Sequence, residues 1–374
     1  MADVVIVGAG PVGLWTALQI KKRMPRAAVV MYERHLEYQR SHVLRLDHWS
    51  LLLYSRKSLN ASEQAFYTDV TGKRVAGVHL EFAKSLYIRT SDFEAALRAY
   101  ALREGIVIEH RTIESLAHAE SLHPECTVFL ASDGARSRFR GELLGDKGIQ
   151  MHNLQQVLEL KFEETGGPRK LDTLQLWDCN RQLNFTLSEY VGRRRGETTP
   201  VTVRLFLDET TYGHLPEMSF KSPCGIDSPE LPKTVQADIE AYMRFRARTV
   251  GTRYVEGSGK LSKLGLSAYA ASRFGFRRQD KAWILVGDAA MGVPYFRALN
   301  SGMMLGSRLA MLIASNGGVT PERLARLVRR IEQYRILHVW TEFTIARGKD
   351  ALINGIKAVR ARLARPATAR ELTR

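Results

Sequence analysis

Val4-Val5-Ile6-Val7-Gly8-Ala9-Gly10-Pro11-Val12-Gly13 is the stretch from which the fold of this chain can be read. Four apolar residues run into a GxGxxG turn, and Leu14 to Arg23 then has the composition of a helix. A second apolar run, Ala27 to Tyr32, ends in Glu33, twenty positions beyond Gly13. Strand, turn, helix and strand at this spacing predict a right-handed βαβ unit with parallel strands. Gly8 permits a tight turn, Gly10 lets the backbone approach a pyrophosphate, and Gly13 lets helix pack on strand. Pro11 and Val12 open the helix whose positive end faces that anion. Glu33 is placed to accept ribose hydroxyls and to repel a 2′-phosphate, which favours the adenosine end of FAD or NAD over NADP as the tightly held nucleotide.

Outward from this unit, the composition is that of an ordinary globular protein: 374 residues, 45% hydrophobic and 25% charged. That excludes disordered and fibrous classes. No uncharged apolar run reaches the length of a membrane span or a signal-peptide core, so a cytoplasmic protein is expected. Cys126, Cys179 and Cys224 lack CxxC spacing and are expected to be reduced, structural thiols. Ten histidines show no HExxH or paired spacing, so no metal site is expected; His42 and His48 read as surface or capping residues. There is no GxSxG of a hydrolase and no WxWxIP of a flavin halogenase. The net charge is +16, and half of it falls in residues 321–374, where thirteen Lys/Arg face five Asp/Glu. A solvated basic helix explains this run; a docking face for an acidic partner or a membrane is the alternative, and no nucleic-acid module accompanies it.

Further along, Leu46 to Leu53 reads as helix and Asn60 to Lys73 as loop and hairpin. Ser91 caps a helix from Asp92 to Glu104, ahead of a strand at Ile106 to Ile108. From Gln155 the pattern alternates: Leu158-Leu160-Phe162, Leu174-Leu176, Leu183-Phe185-Leu187 and Val201 to Leu207 read as antiparallel strands. A helix over about residues 233–249 follows, and parallel-sheet character returns at Ala282 to Val286. Three helical segments close the chain: Asn300 to Ser315, one opened by Thr320-Pro321, and a basic tail to about Leu363. The expected division is a discontinuous nucleotide domain, 1–150 with 260–320, an inserted substrate subdomain, 151–259, and a basic helical segment, 321–374.

Two more apolar strands end in acidic turns. One is Val128 to Ala131 before Ser132-Asp133-Gly134-Ala135-Arg136-Ser137-Arg138, and the other is Ile284-Leu285-Val286 before Gly287-Asp288-Ala289-Ala290. With GxGxxG these stand in the order found in the group A flavoprotein monooxygenases, the para-hydroxybenzoate hydroxylase family, which the chain resembles. The fold that resemblance implies is α/β: a Rossmann-like FAD-binding domain of the GR2 type, an inserted antiparallel substrate subdomain, and C-terminal helices. It implies that Asp288, after Gly287, binds a ribityl hydroxyl of FAD, that Asp133 and Gly134 line the cofactor and nicotinamide approach, and that Arg40 and Arg89 meet the phosphates or ribityl chain. Arg89 reads equally as an exposed loop residue. Glu33-Arg34 with Arg40-Ser41-His42-Val43-Leu44 is similar, over the first fifty residues, to the MICAL-type branch.

Where family members have His and a Pro-Pro, Gly-rich loop, this chain has Met291, Pro294 and Tyr295-Phe296-Arg297-Ala298-Leu299-Asn300. A helix from Asn300 still aims its positive end at the flavin. The activity implied is a monooxygenase in which NAD(P)H, a transient co-substrate, reduces FAD and oxygen reacts as a flavin C4a-hydroperoxide. No general base is identified. A small aromatic molecule or a methionine-bearing protein fits as substrate, with Trp177, Phe185, Tyr190, Phe206 and Tyr212 available to line its pocket or the core. The alternatives are an NAD(P)H oxidase, a lipid-alkene reductase of the geranylgeranyl-reductase kind, and a non-catalytic FAD-containing partner-binding protein. Arg193-Arg194-Arg195 reads as a solvated hairpin tip.

Overall fold

The computed structural model describes residues 2–36, 43–47, 50, 65, 68, 85–145, 148–192, 194–293, 298–315 and 320–363. Strand β1 (Val4–Val7) is buried at every residue, as a continuous apolar run in a sheet covered on both faces must be. It lies between β2 (Val29–Glu33) and β6 (Val128–Ala131), parallel to both. The sheet continues with β5 (Val107–His110) beyond β2 and β14 (Lys281–Leu285) beyond β6, all parallel, and β13 (Gly275–Arg278) closes one edge as an antiparallel hairpin with β14. Helix α1 (Pro11–Arg23) starts with proline at its first turn, where the missing N–H costs nothing, and ends in Lys21, Lys22 and Arg23, which favour its negative end.

The second sheet is built on two long antiparallel strands, β7 (Ile149–Thr165) and β12 (Lys260–Ala271), flanked by β9 (Thr198–Leu207) and β8 (Thr186–Val191). Leu158, Leu160 and Phe162 of β7 enter a core with Val201, Val203 and Leu205 of β9 and with Val235, Ile239 and Tyr242 of the helix Lys233–Val250. The same strand pair serves the first core as well. Leu261 packs in the second core, whereas Ala268 and Ala270, of opposite parity on β12, pack in the first. A bulge between Leu266 and Ser267 shifts the register between those two regions, which is where a strand pair changes the layer it covers. The strands of this sheet run from Ile149 to Ala271, and Met291–Gly292 also pairs with β12.

Several local expectations are corrected. Leu46 and Asp47 are not helical; they belong to β3 (Val43–Asp47), which pairs with β4 (Ser85–Arg89), a partner some forty residues away that no local pattern reveals. The following helix (Thr90–Arg103) starts two residues earlier than a cap at Ser91 implies, with Arg89 at its cap position. Leu174-Leu176 is helical: Asp172 and Gln175 form a reciprocal capping box that starts the helix Thr173–Gln182. Trp177 on that helix is exposed, its ring 4.8 Å from the Arg181 guanidinium. Phe185 and Tyr212 pack against the second core.

The last two expected helical segments are one helix: Pro321–Leu363 runs unbroken for 43 residues after the helix Ala298–Ser315. Among the described residues no helix is long and apolar enough to cross a membrane.

Candidate functional site

Ladder bonds running past the strand ends bring three turns to one edge of the parallel sheet. Gly8 donates to the Tyr32 carbonyl (2.8 Å), Ser132 to Val7 (2.7 Å) and Val286 to Ala131 (2.8 Å). This is the carboxyl edge of the parallel strands, where such sheets bind ligands. Gly8 has φ +102°, and a Cβ there would lie 2.3 Å from the Ser132 carbonyl oxygen. A Cβ on Gly13 would lie 2.2 Å from the Gly8 oxygen, so this glycine serves packing beneath the turn. Gly10 differs, for nothing stands within 4 Å of a Cβ placed on it. The space over Gly10 is open to a ligand.

Glu33 reaches back to the turn: Oε2 accepts from the Ala9 amide at 2.9 Å and Oε1 from the His35 amide at 3.0 Å. Each carboxylate oxygen retains acceptor capacity, since the group offers about four lone-pair sites. Asp133 accepts the Arg138 amide at 2.8 Å through Oδ2, while Oδ1 is buried with no hydrogen-bond partner. Burial pushes the Asp133 carboxyl above the usual aspartate range, against hydrogen bonds from Ser137 and Arg138 that lower it.

The second and third turns are tied together by Arg140. Its guanidinium donates to the carbonyls of Asp288 (3.3 Å), Ala289 (3.0 Å) and Ala135 (2.7 Å), and lies 5.7 Å from the Tyr269 ring. Tyr269 donates its hydroxyl to the same Asp288 carbonyl at 2.9 Å. Strand β12 of the second sheet thus contacts the Gly287-Asp288 turn of the first.

Together the turns line a cleft of about 520 Å³, within the usual range for small-molecule sites. Of the residues singled out in sequence, Gly8, Gly10, Pro11, Val12, Glu33, Arg34, Asp133 and Asp288 line it. Gly13 and Gly287 lie beneath the lining; a Cβ on Gly287 would come 2.9 Å from Val12. Two residues are placed elsewhere. Arg89 turns to Glu163 on β7, 3.4 Å away, because its neighbour Thr90 occupies the lining position. Asn300 is buried and its Oδ1 accepts from the Asp47 amide at 2.9 Å, so it secures β3, while Ala298 and Leu299 at the start of that helix line the cleft. Arg40, His42, His48 and Tyr295-Phe296-Arg297 lie outside the described residues, as does the stretch Asn60 to Lys73 apart from Ala65 and Thr68, which are helical where loop and hairpin were expected.

Sequence reasoning missed Arg98, Arg111 and Arg140. Arg98 lines the cleft from the helix Thr90–Arg103, braced by Glu94 at 2.7 Å; it stands on a helix face that carries no motif. Arg111 lies one residue past β5, where its amide continues the ladder to Glu33. With Arg34, Arg136 and Arg138, five arginines line the cleft against Glu33, Asp133 and Asp288, a balance that suits a polyphosphate.

A parallel sheet with the cleft at its carboxyl edge and an antiparallel sheet beside it is an α/β fold that this chain shares with several solved proteins. CtdE in complex with FAD and substrate aligns with a TM-score of 0.59 at 13% identity, over 91% of this chain and 88% of that one. The Diels-Alderase PyrE3 of pyrroindomycin biosynthesis aligns at 0.57 and 17% identity, over 97% and 77%. The flavin-dependent brominase Bmp2 aligns at 0.54 and 14% identity, over 94% and 92%. No family model matches the chain, and no curated protein matches it. At these identities the likeness is one of fold.

Proposed function

We propose that this protein is an FAD-dependent monooxygenase that uses NAD(P)H and oxygen to hydroxylate an organic substrate. The observation that carries the reading is the convergence of three separate turns on one cleft, with an acidic strand tip at one end and the Gly287-Asp288 turn at the other. The residues present fit FAD. Gly10 leaves room for a pyrophosphate at the start of α1, Glu33 holds acceptor oxygens at the turn, and Arg34, Arg98 and Arg111 offset phosphate charge.

In this reading Glu33 binds the adenosine ribose, the α1 amides bind the pyrophosphate, and Asp288 takes a ribityl hydroxyl. Arg140 holds the Asp288 turn in place through its backbone carbonyls. The start of the helix Ala298–Ser315 presents its positive end to the far side of the cleft. When bound, FAD supplies hydride acceptance from NAD(P)H and oxygen activation; the chain supplies placement and exclusion of water. CtdE, a brominase and a Diels-Alderase share the fold, so the substrate follows from side chains over the flavin end, not from the fold. A small aromatic molecule and a methionine-bearing protein both fit this reading.

The test is to purify the protein, record flavin absorption, and follow NADPH and NADH oxidation with hydrogen peroxide release across a panel of aromatic metabolites. Oxidation coupled to substrate, with peroxide suppressed, supports the reading. Stoichiometric peroxide with every substrate makes the protein an oxidase. A yellow protein that oxidises neither nucleotide is a non-catalytic flavoprotein, and a colourless one that takes up no FAD overturns the cofactor assignment.

A further inference from the structure

The helix Pro321–Leu363 is 43 residues long, about 65 Å at 1.5 Å per residue. Its first part lies on the body. Leu324, Val328, Glu332, Arg335 and Val339 form its buried ridge, and beyond Phe343 the described side chains Thr344 and Ile345 are exposed.

The opposite face, followed at helical spacing, presents Arg323, Arg330, Tyr334, Leu337, Thr341 and Ile345 to solvent. Tyr334 is 53% exposed, Leu337 65% and Ile345 47%, a line of large apolar side chains that a solvated helix does not need. Arg308 lies 4.8 Å from the Tyr334 ring, which places a further cation beside that line. Of the carboxylates on these turns, Glu322 pairs with Arg277 and Arg326, and Glu332 is buried against the Phe274 amide. In the sequence beyond Ile345, Leu352, Ile356, Val359 and Leu363 continue the same spacing, and residues 346–374 hold eight Lys/Arg against two Asp/Glu.

We infer that this face docks the protein on an anionic phospholipid surface, the helix lying in the interfacial plane. Apolar residues and arginines along one side, in a helix whose described residues include no stretch apolar enough to span a bilayer, are the composition of an interfacial helix. An acidic protein would satisfy the arginines but leave Leu337 and Ile345 in water unless it carried a matching apolar groove. A second copy of this chain would bring the same positive face and be repelled. None of these residues lines the cleft, so docking leaves it accessible.

The experiment is flotation of the full-length protein with vesicles made of equal parts phosphatidylcholine and phosphatidylglycerol, against vesicles of phosphatidylcholine alone. Binding is expected to the anionic vesicles, to weaken as salt is raised, and to fall about tenfold or more in the double variant Leu337→Glu with Ile345→Glu. Circular dichroism of that variant should match the parent, and Leu337→Met should bind as the parent does. Failure to bind anionic vesicles, equal and salt-insensitive binding to phosphatidylcholine, or undiminished binding by the double variant would overturn the inference. So would a dimer in gel filtration that the double variant converts to monomer, which would make the face a self-association surface.

Discussion

The Oε2 atom of Glu33 accepts a hydrogen bond from the Ala9 amide across 2.9 Å, so the tip of the second strand and the turn after the first are held on each other. A carboxylate pre-positioned in this way pays little ordering cost when ribose hydroxyls arrive. Glu33→Gln keeps an acceptor for Ala9 and should preserve the fold, but it removes the charge-assisted bonds that the proposed site would offer a ribose. The expected loss in FAD affinity is about 10- to 100-fold, read by fluorescence titration of the apoprotein. Unchanged affinity would remove Glu33 from the nucleotide site.

Gly10 and Gly13 should separate binding from folding. A Cβ at Gly10 meets nothing within 4 Å, so Gly10→Val should leave thermal stability near that of the parent while flavin retention is lost. At Gly13 the same atom would fall 2.2 Å from the Gly8 oxygen, and Gly13→Ala should cost about 1–3 kcal/mol in chemical denaturation. If Gly10→Val retains flavin through purification, the pyrophosphate does not lie over this turn.

The carboxyl of Asp133 gives a pH dependence with a definite sign. Burial raises its folded-state pKa above the ordinary aspartate value of about 3.9, so the folded protein holds this proton to higher pH than the unfolded chain does. The favourable contribution of the protonated group is full below the unfolded value and is lost as pH rises through the raised one. Relative to Asp133→Asn, which does not titrate, the unfolding free energy of the parent should therefore decline across that window. A difference that stays flat with pH would show that the carboxyl is solvated.

Arg246 is the keystone of the second core. It is buried, with its guanidinium bonded to Glu164, to Glu189 at 2.6 Å and to the Arg169 carbonyl at 2.6 Å, while the Tyr242 hydroxyl donates to Glu189 at 2.8 Å. Arg246→Met strands two buried carboxylates and should cost about 3–5 kcal/mol in urea unfolding. Its flavin content, measured on the folded fraction, should equal the parent's, because none of these groups lines the cleft. A cost below about 1 kcal/mol would mean that water reaches the network.

Much of the architecture was legible from local chemistry. The run Val4 to Val7 and the turn after it require a buried central strand and a close helix, and the alternation from Leu158 to Phe162 requires a half-buried antiparallel strand. Leu174-Leu176 imitated that alternation. The Asp172–Gln175 capping box beside it was the better signal, since it satisfies backbone donors that only a helix leaves open.

The residue types at the three turns, and with them the kind of ligand the cleft suits, follow from the sequence alone, because turns and strand ends obey short-range sterics and charge. Partners far apart in the chain were decided only by tertiary structure. Arg140 meets the Asp288 carbonyl across 148 positions, Asn300 meets the Asp47 amide across 253, and Arg195, exposed at the β8–β9 hairpin tip, holds Asp92, 103 positions away, at 2.6 and 2.7 Å. Polar groups at those places need partners under any fold, but which partner they take depends on how the two sheets are packed against each other.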